Sequence, residues 1–213
     1  MSARKRTAGA SSRGCDRNAS VRGYIHLSLT KFLKRASEFA SIRTMSTVVI
    51  DIRRAQTDDA PQLAEAHDEA WRTAYRGLIP GTELEKLVAR RGPAWWDAAI
   101  RRGSKIALLT FGDAIAGYTN FGRNRARSLP YAGEIYELYL RPEYQGLGFG
   151  RRLFVAAKRE LAQGCQSSLV VWALSDNEAA VSFYRALGGR AIARSTERFG
   201  DKVLDKVAFC WSR

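Results

Sequence analysis

Two short segments carry side chains whose types and spacing suit group transfer from a phosphate-bearing ligand. In Leu140-Arg-Pro-Glu-Tyr-Gln145-Gly-Leu-Gly-Phe-Gly150-Arg-Arg-Leu153, glycines stand at alternate positions, Gly146, Gly148 and Gly150. Glycines so placed let a backbone turn sharply and let a ligand approach without Cβ atoms in the way. Gly150, Leu153, Phe154, Ala157 and Leu161 then recur with helical period, so the segment predicts a strand, a tight turn and a helix start. Free N–H groups at a helix start bind phosphate, and Arg151 and Arg152 add charge there. The same pattern also serves as a plain strand-to-helix turn. A dinucleotide fingerprint is excluded, because the third glycine of G-x-G-x-x-G falls on Arg151. No G-x-x-x-x-G-K-[ST] string occurs.

The second segment is Ser175-Asp-Asn-Glu-Ala-Ala-Val-Ser-Phe-Tyr-Arg-Ala-Leu-Gly-Gly189, after the apolar strand candidate Ser168–Leu174. Ser175 and Glu178 have capping-box spacing and predict a helix start. Asn177, Ala180, Val181 and Tyr184 share one face of that helix, and Gly188-Gly189 ends it. A phenol on such a stripe suits core packing as well as it suits catalysis.

Together the two segments resemble the GNAT superfamily of N-acetyltransferases. Gln145, Gly148 and Gly150 fit its Q/R-x-x-G-x-G/A loop, with Pro142 upstream. Asn177, Ala180, Phe183, Tyr184 and Gly188 fit N-x-x-A-x-x-F-Y-x-x-x-G at every fixed position, in the expected order. The likeness covers about Val48 to Trp211 and is densest from Glu134 to Gly189. It implies the GNAT acyl-CoA N-acyltransferase fold, an α/β architecture with a mostly antiparallel twisted sheet of about 6–7 strands flanked by helices. It further implies direct transfer from acetyl-CoA to an amine, without a covalent intermediate or a metal.

Amine acetylation needs a neutral amine, a donor for the oxyanion and a proton for the leaving thiolate. The resemblance assigns these parts. Backbone groups of Leu138, Tyr139 and Leu140 would pair with the pantetheine arm and polarise the thioester. The amides of Gln145, Gly146, Leu147, Gly148, Phe149, Gly150 and Arg151 would cradle the pyrophosphate. Asn177 would bond the cofactor arm beside Ala180, and Tyr184 would protonate the departing sulfur. For the base, Glu134 stands eleven residues before Gln145, where several relatives carry a catalytic glutamate, and Glu137 is the reserve. By period-two counting the two glutamates lie on opposite faces of a regular strand. A solvated strand carboxylate, or a water acting as base, are the alternatives. Trp71 and Tyr75, in a segment similar to the A-W-x-x-x-Y-x-G-L-I/L-P of bacterial members, would line the acceptor site or pack together at i, i+4. A small-molecule amine is the expected acceptor, ahead of a protein.

The elements that must position these residues are legible as a series. A strand over Val48–Arg53 leads to a helix capped by Thr57-Asp58-Asp59 and running through Leu63, Ala66, His67, Ala70 and Trp71. A helical region starts near Gly81, and Pro93 opens another stretch with Trp95 and Trp96. Lys105–Phe111 and Ala114–Phe121 form a hairpin across Gly112-Asp113. Glu134–Leu140 feeds the glycine loop, and strands near Arg190–Ser195 and Val203–Trp211 follow. The expected order is β-α-α-β-β-β-α-β-α-β-β.

The net charge of the 213 residues is +14, of which +8 falls in residues 1–44. That segment reads as a basic, acid-poor leader, disordered to Arg22, with a weak amphipathic helix over Tyr24–Ile42. It is expected to precede a GNAT domain over 45–213, either as an artefact with Met45 as the start, as a targeting leader, or as a nucleic-acid-binding arm. The remaining +6 suits a polyanionic cofactor and does not by itself point to nucleic acid. Three cysteines without C-x-x-C spacing suit a cytoplasmic compartment and exclude a paired disulfide framework. With two histidines, metal-ligand spacing is absent, and a Cys–His nucleophile is open only through His67. No stretch approaches the roughly 18 apolar residues of a membrane span. The readings to be separated are an N-acetyltransferase, a silent acyl-CoA-binding domain and a nucleic-acid binder. A homodimer is an expectation carried by the resemblance alone.

Overall fold

Strand composition sorts the strands by their place in the sheet. In the computed structural model, which describes residues 48–212, β2 (Lys105–Phe111) and β3 (Ala114–Arg123) carry near-continuous apolar runs and are buried on both faces. They lie centrally, between β1 (Ile50–Arg54) and β4 (Gly133–Leu140). Beyond β4 come β5 (Leu169–Leu174), β7 (Lys202–Trp211) and β6 (Arg190–Phe199), giving the order β1-β2-β3-β4-β5-β7-β6. Every neighbouring pair is antiparallel except β4 with β5. The 1–44 leader lies outside the described residues.

Three helices, α1 (Ala60–Tyr75), α2 (Gly81–Ala89) and α3 (Pro93–Arg101), intervene between β1 and β2. The sequence order anticipated two. Gly92 is extended and Pro93 starts a new helix, so α2 and α3 are separate. Leu63, Ala66 and Trp96 pack on Ile106, Leu108 and Tyr118 on one face of the sheet. On the other, α4 (Phe149–Gln163) lays Leu153, Phe154, Ala157 and Leu161 against the strands, the stripe its period predicted. The helix α5 (Glu178–Ala186) joins that side through Ala180, Val181, Phe183 and Tyr184.

One local expectation holds and one is corrected. The α1 entry is fixed by Asp59, whose carboxylate accepts from the Gln56 amide at 2.7 Å and pairs with Arg53. The arginine holds the Asp59 carboxyl below its ordinary range. The α5 helix begins at Glu178, with Asn177 at its cap instead of Ser175. The Ser175 amide is still bonded to Asp205 O of β7 at 2.8 Å, so the cap passes to Asn177, whose Oδ1 accepts from the Ala180 amide at 3.0 Å. Among the described residues, no helix is long and apolar enough to cross a membrane.

Candidate active site

The parallel pair β4–β5 is short. It spans only Gly133↔Leu169, Glu134↔Val170 and Ile135↔Val171. Past Ile135 the two strands part, while β4 stays paired to β3 up to Leu140. The β5-facing edge of β4 therefore has no strand partner from Tyr136 onward, and residues 136–140 become half-buried. A wedge-shaped cleft opens there, with unpaired backbone donors and acceptors on one wall.

At the end of β4 the chain makes a 3-10 turn over Pro142–Tyr144 and enters the glycine loop. Gln145 Nε2 donates to Leu140 O at 3.3 Å and ties the loop to the strand. The Gln145 amide is bonded to Pro142 O at 3.2 Å, so the open amides begin one residue later. Among the described residues, no carbonyl accepts from the backbone amides of Gly146 to Arg151. Gly146 and Gly148 hold φ of 75° and 78°, the left-handed region, with nothing within 4 Å of a Cβ added at either. Gly150 is small for another reason. A Cβ there would meet the Phe183 ring at 3.0 Å, so the two motifs touch where α4 passes α5.

Tyr184 is buried against Phe183, Phe209 and Trp211. Burial raises its hydroxyl far above the usual phenol value, so it stays protonated at neutral pH. It lies within electrostatic range of Tyr75. The Tyr75 hydroxyl is 2.6 Å from that of Tyr139, and burial pushes it up to about 12. Trp71 packs edge-on to Tyr75 at 5.0 Å between centroids and lies 5.8 Å from Tyr139. The i, i+4 pair predicted from sequence is therefore a packing pair set against Tyr139 of β4. Leu138 and Leu140 face the α4 side, in the cluster with Phe149 and Leu153.

The two glutamates are arranged differently from the sequence expectation. The β3–β4 register slips between Asn120↔Glu137 and Phe121↔Ile135. Tyr136 is thus the extra residue of a β-bulge, and the period-two count breaks there. Glu134 opposes Gly122 and Glu137 opposes Asn120. Those two β3 positions share a face, so both glutamates do too. Their surroundings separate them. Glu134 is 3 % exposed, accepts from the Arg125 amide at 2.7 Å and pairs with its guanidinium at 2.7 Å. Asn124 braces that loop through Ala126, Leu129 and Tyr131 carbonyls. Glu134 is occupied as a loop anchor.

Glu137 faces the aromatic wall. Oε1 is 2.7 Å from Arg91 Nη1, and Oε2 accepts from the Tyr118 hydroxyl at 3.4 Å. Burial raises its pKa, against the opposing pull of Arg91. Arg91 in turn stacks over Trp95 at 4.2 Å. The Tyr118 hydroxyl is 2.7 Å from His67 Nδ1. His67 is fully buried among Trp71, Trp96 and Tyr118, and its pKa falls to about 3, chiefly through desolvation. Neither described cysteine, Cys165 or Cys210, bonds it. Arg91, Tyr118 and Arg125 were not singled out from sequence. Their contacts to the glutamates depend on the bulge and on how the α2–α3 connection packs, neither of which leaves a local pattern.

Residues 126–199, which include the glycine loop and α5, match the family model described as FR47-like protein. The chain is 29% identical over 163 residues to the uncharacterised N-acetyltransferase YuaI of Bacillus subtilis (strain 168), covering 76% of this chain and 93% of that one. It is 32% identical over 152 residues to the mycothiol acetyltransferase of Mycobacterium marinum, covering 63% of this chain but only 45% of that longer protein. The fold is shared with the PaiA N-acetyltransferase of Thermoplasma acidophilum in complex with coenzyme A, at TM-score 0.60 and 18% identity over 74% of this chain and 97% of the other.

Proposed function

We propose, from the premise that this chain belongs to the GNAT superfamily of N-acetyltransferases, that it carries an acetyl group directly from acetyl-CoA to a primary amine on a small molecule. The observation that carries the reading is the continuity of the wedge between β4 and β5 with the unpaired amides of Gly146 to Arg151. A thioester arm suits the wedge, where the strand edge from Leu138 to Leu140 offers backbone bonds. A pyrophosphate suits the amides at the start of α4, beside the Arg151 charge. Asn177 spends Oδ1 on its cap, which leaves Nδ2 to donate to the arm near Ala180.

In this reading Glu137 takes the proton from the attacking ammonium, since Glu134 is held by Arg125. The neutral amine attacks the thioester carbon. The oxyanion is met by β4 backbone N–H, and the carbon–sulfur bond breaks as Tyr184 gives its proton to the thiolate. The nitrogen's second proton passes through solvent to the Tyr184 phenolate and the proton on Glu137 leaves with solvent, closing the cycle. Trp71 and Tyr75 line the acceptor side. The unpaired thiols of Cys165 and Cys210 suit a reducing, cytoplasmic compartment.

Titration calorimetry of the full chain with CoA and acetyl-CoA tests the reading. Saturable binding that is lost in Gly148→Asp is expected, because that change puts a side chain and a negative charge at the amide cradle. Absence of binding by the folded wild-type chain would overturn it.

A further inference from the structure

The cleft holds a buried polar chain, Arg91–Glu137–Tyr118–His67, with contacts of 2.7, 3.4 and 2.7 Å. Tyr118 has one proton to give and two claimants, Glu137 Oε2 and His67 Nδ1. The His67 tautomer decides between them. With the proton on Nδ1, His67 donates to the Tyr118 oxygen, and Tyr118 must donate to Glu137. With the proton on Nε2, Tyr118 donates to His67 and turns a lone pair toward the carboxylate.

We infer that His67 is a positioning residue, held as the Nδ1–H tautomer so that Tyr118 donates its hydroxyl to Glu137 and keeps that carboxylate ionised for catalysis. His67 Nε2 is buried and has no partner among the described residues. In the Nδ1–H tautomer Nε2 is a bare acceptor, and the alternative would bury a bare N–H. Orphaned buried donors are the rarer of the two. The Nδ1–H form also leaves Glu137 with the Arg91 charge beside one oxygen and the Tyr118 hydroxyl donating to the other. Burial drives Glu137 toward its neutral form, and the Arg91 charge and the Tyr118 donor both oppose that by favouring the ionised carboxylate. Desolvation keeps His67 itself neutral, so it orients the chain and does not exchange protons with it. The other groups facing Glu137 are Arg125 from the β3–β4 loop, Tyr75 from α1 and Tyr139 on β4. None of them reaches Tyr118's second partner. The inference rests on the reading of Glu137 as base.

The chain has two histidines, His26 and His67, so nitrogen NMR of the 15N-histidine-labelled full-length protein reads the tautomer without any variant. A neutral His67 protonated on Nδ1 at pH 7 is expected. An Nε2–H tautomer or an imidazolium would overturn the inference. The second arm is the pH profile of kcat/KM with acetyl-CoA and an accepted amine. Tyr118→Phe and His67→Leu should each move the acidic limb up by about one pH unit. His67→Asn, whose Nδ2 can donate from the Nδ1 position, should restore it. Limbs that coincide in all variants would overturn the positioning role while leaving the base in place. Full activity of Glu137→Gln would overturn the base assignment and the inference with it, and the NMR tautomer would still be read independently.

Discussion

Glu134 and Glu137, three residues apart on one strand, lie on the same face of the sheet, because the bulge at Tyr136 sets them opposite Gly122 and Asn120 of β3. One is gripped by Arg125 and the other looks into the aromatic wall. The pair therefore separates by environment into a loop anchor and the proposed base.

Substituting each glutamate should show that separation. Glu137→Gln is expected to lower kcat by about 10²- to 10³-fold while CoA affinity stays within a few-fold. Glu134→Gln should instead lower stability. Its partner Arg125 has a side chain 64% exposed, so solvent screening discounts the loss to about 1–2 kcal/mol. Urea unfolding read alongside thiol release separates the two effects. A Glu134→Gln enzyme that is stable but inactive would reverse the assignment.

Tyr184→Phe removes only a hydroxyl from a site walled by Phe209 and Trp211. The fold should persist, and kcat should fall by about 10²-fold as the thiolate leaves unprotonated. Because burial lifts the phenol far above its ordinary value, wild-type activity should show no alkaline limb from Tyr184 below about pH 10. Unchanged turnover in Tyr184→Phe would favour a binding domain over an enzyme.

His67 makes stability depend on acid. Its folded pKa is depressed to about 3, while the unfolded chain titrates near 6.5. The unfolded state then binds the extra proton between those values. The stabilisation is complete above about pH 6.5 and is lost as pH falls, by roughly 2–3 kcal/mol between pH 7 and 4.5. Denaturant midpoints across that range, compared with His67→Asn, give the measurement. Asparagine carries no titration, and the difference between the two slopes should vanish above pH 7. Glu137 contributes with the opposite sign. Its raised pKa makes its contribution complete at low pH and lost as pH rises through the folded value.

The glycines should fail in different ways. Gly148→Ala meets open space but holds φ at 78°, so strain costs about 1–2 kcal/mol. Gly150→Ala sits at ordinary helical φ but drives a methyl toward Phe183. Its cost should shrink in Phe183→Leu, where the methyl finds room. Thermal melts of the single and double variants show this as non-additivity. Additive losses would mean that α4 and α5 do not meet through this contact.

Where a requirement is local, the sequence determined it alone. Gly146 and Gly148 announce a loop because a positive φ tolerates little else, and the helical stripes of α4 and α5 follow from their apolar spacing. The two motifs and their order were enough to name the fold. The cap of α5 was misplaced by two residues, from Asn177 to Ser175, because Ser175 is held by β7, a contact no local pattern carries. The working face of the site was decided by the tertiary structure. His67 and Tyr118 are 51 residues apart and Tyr75 and Tyr139 are 64 apart, and such pairings form only when α1 is laid on the sheet. The bulge at Tyr136 had the largest effect. A strand read from sequence alternates with period two, and one inserted residue, visible only against its partner strand, moves every later side chain to the other face. That shift put Glu137 on the face of Tyr118 and Arg91, where it is the proposed base.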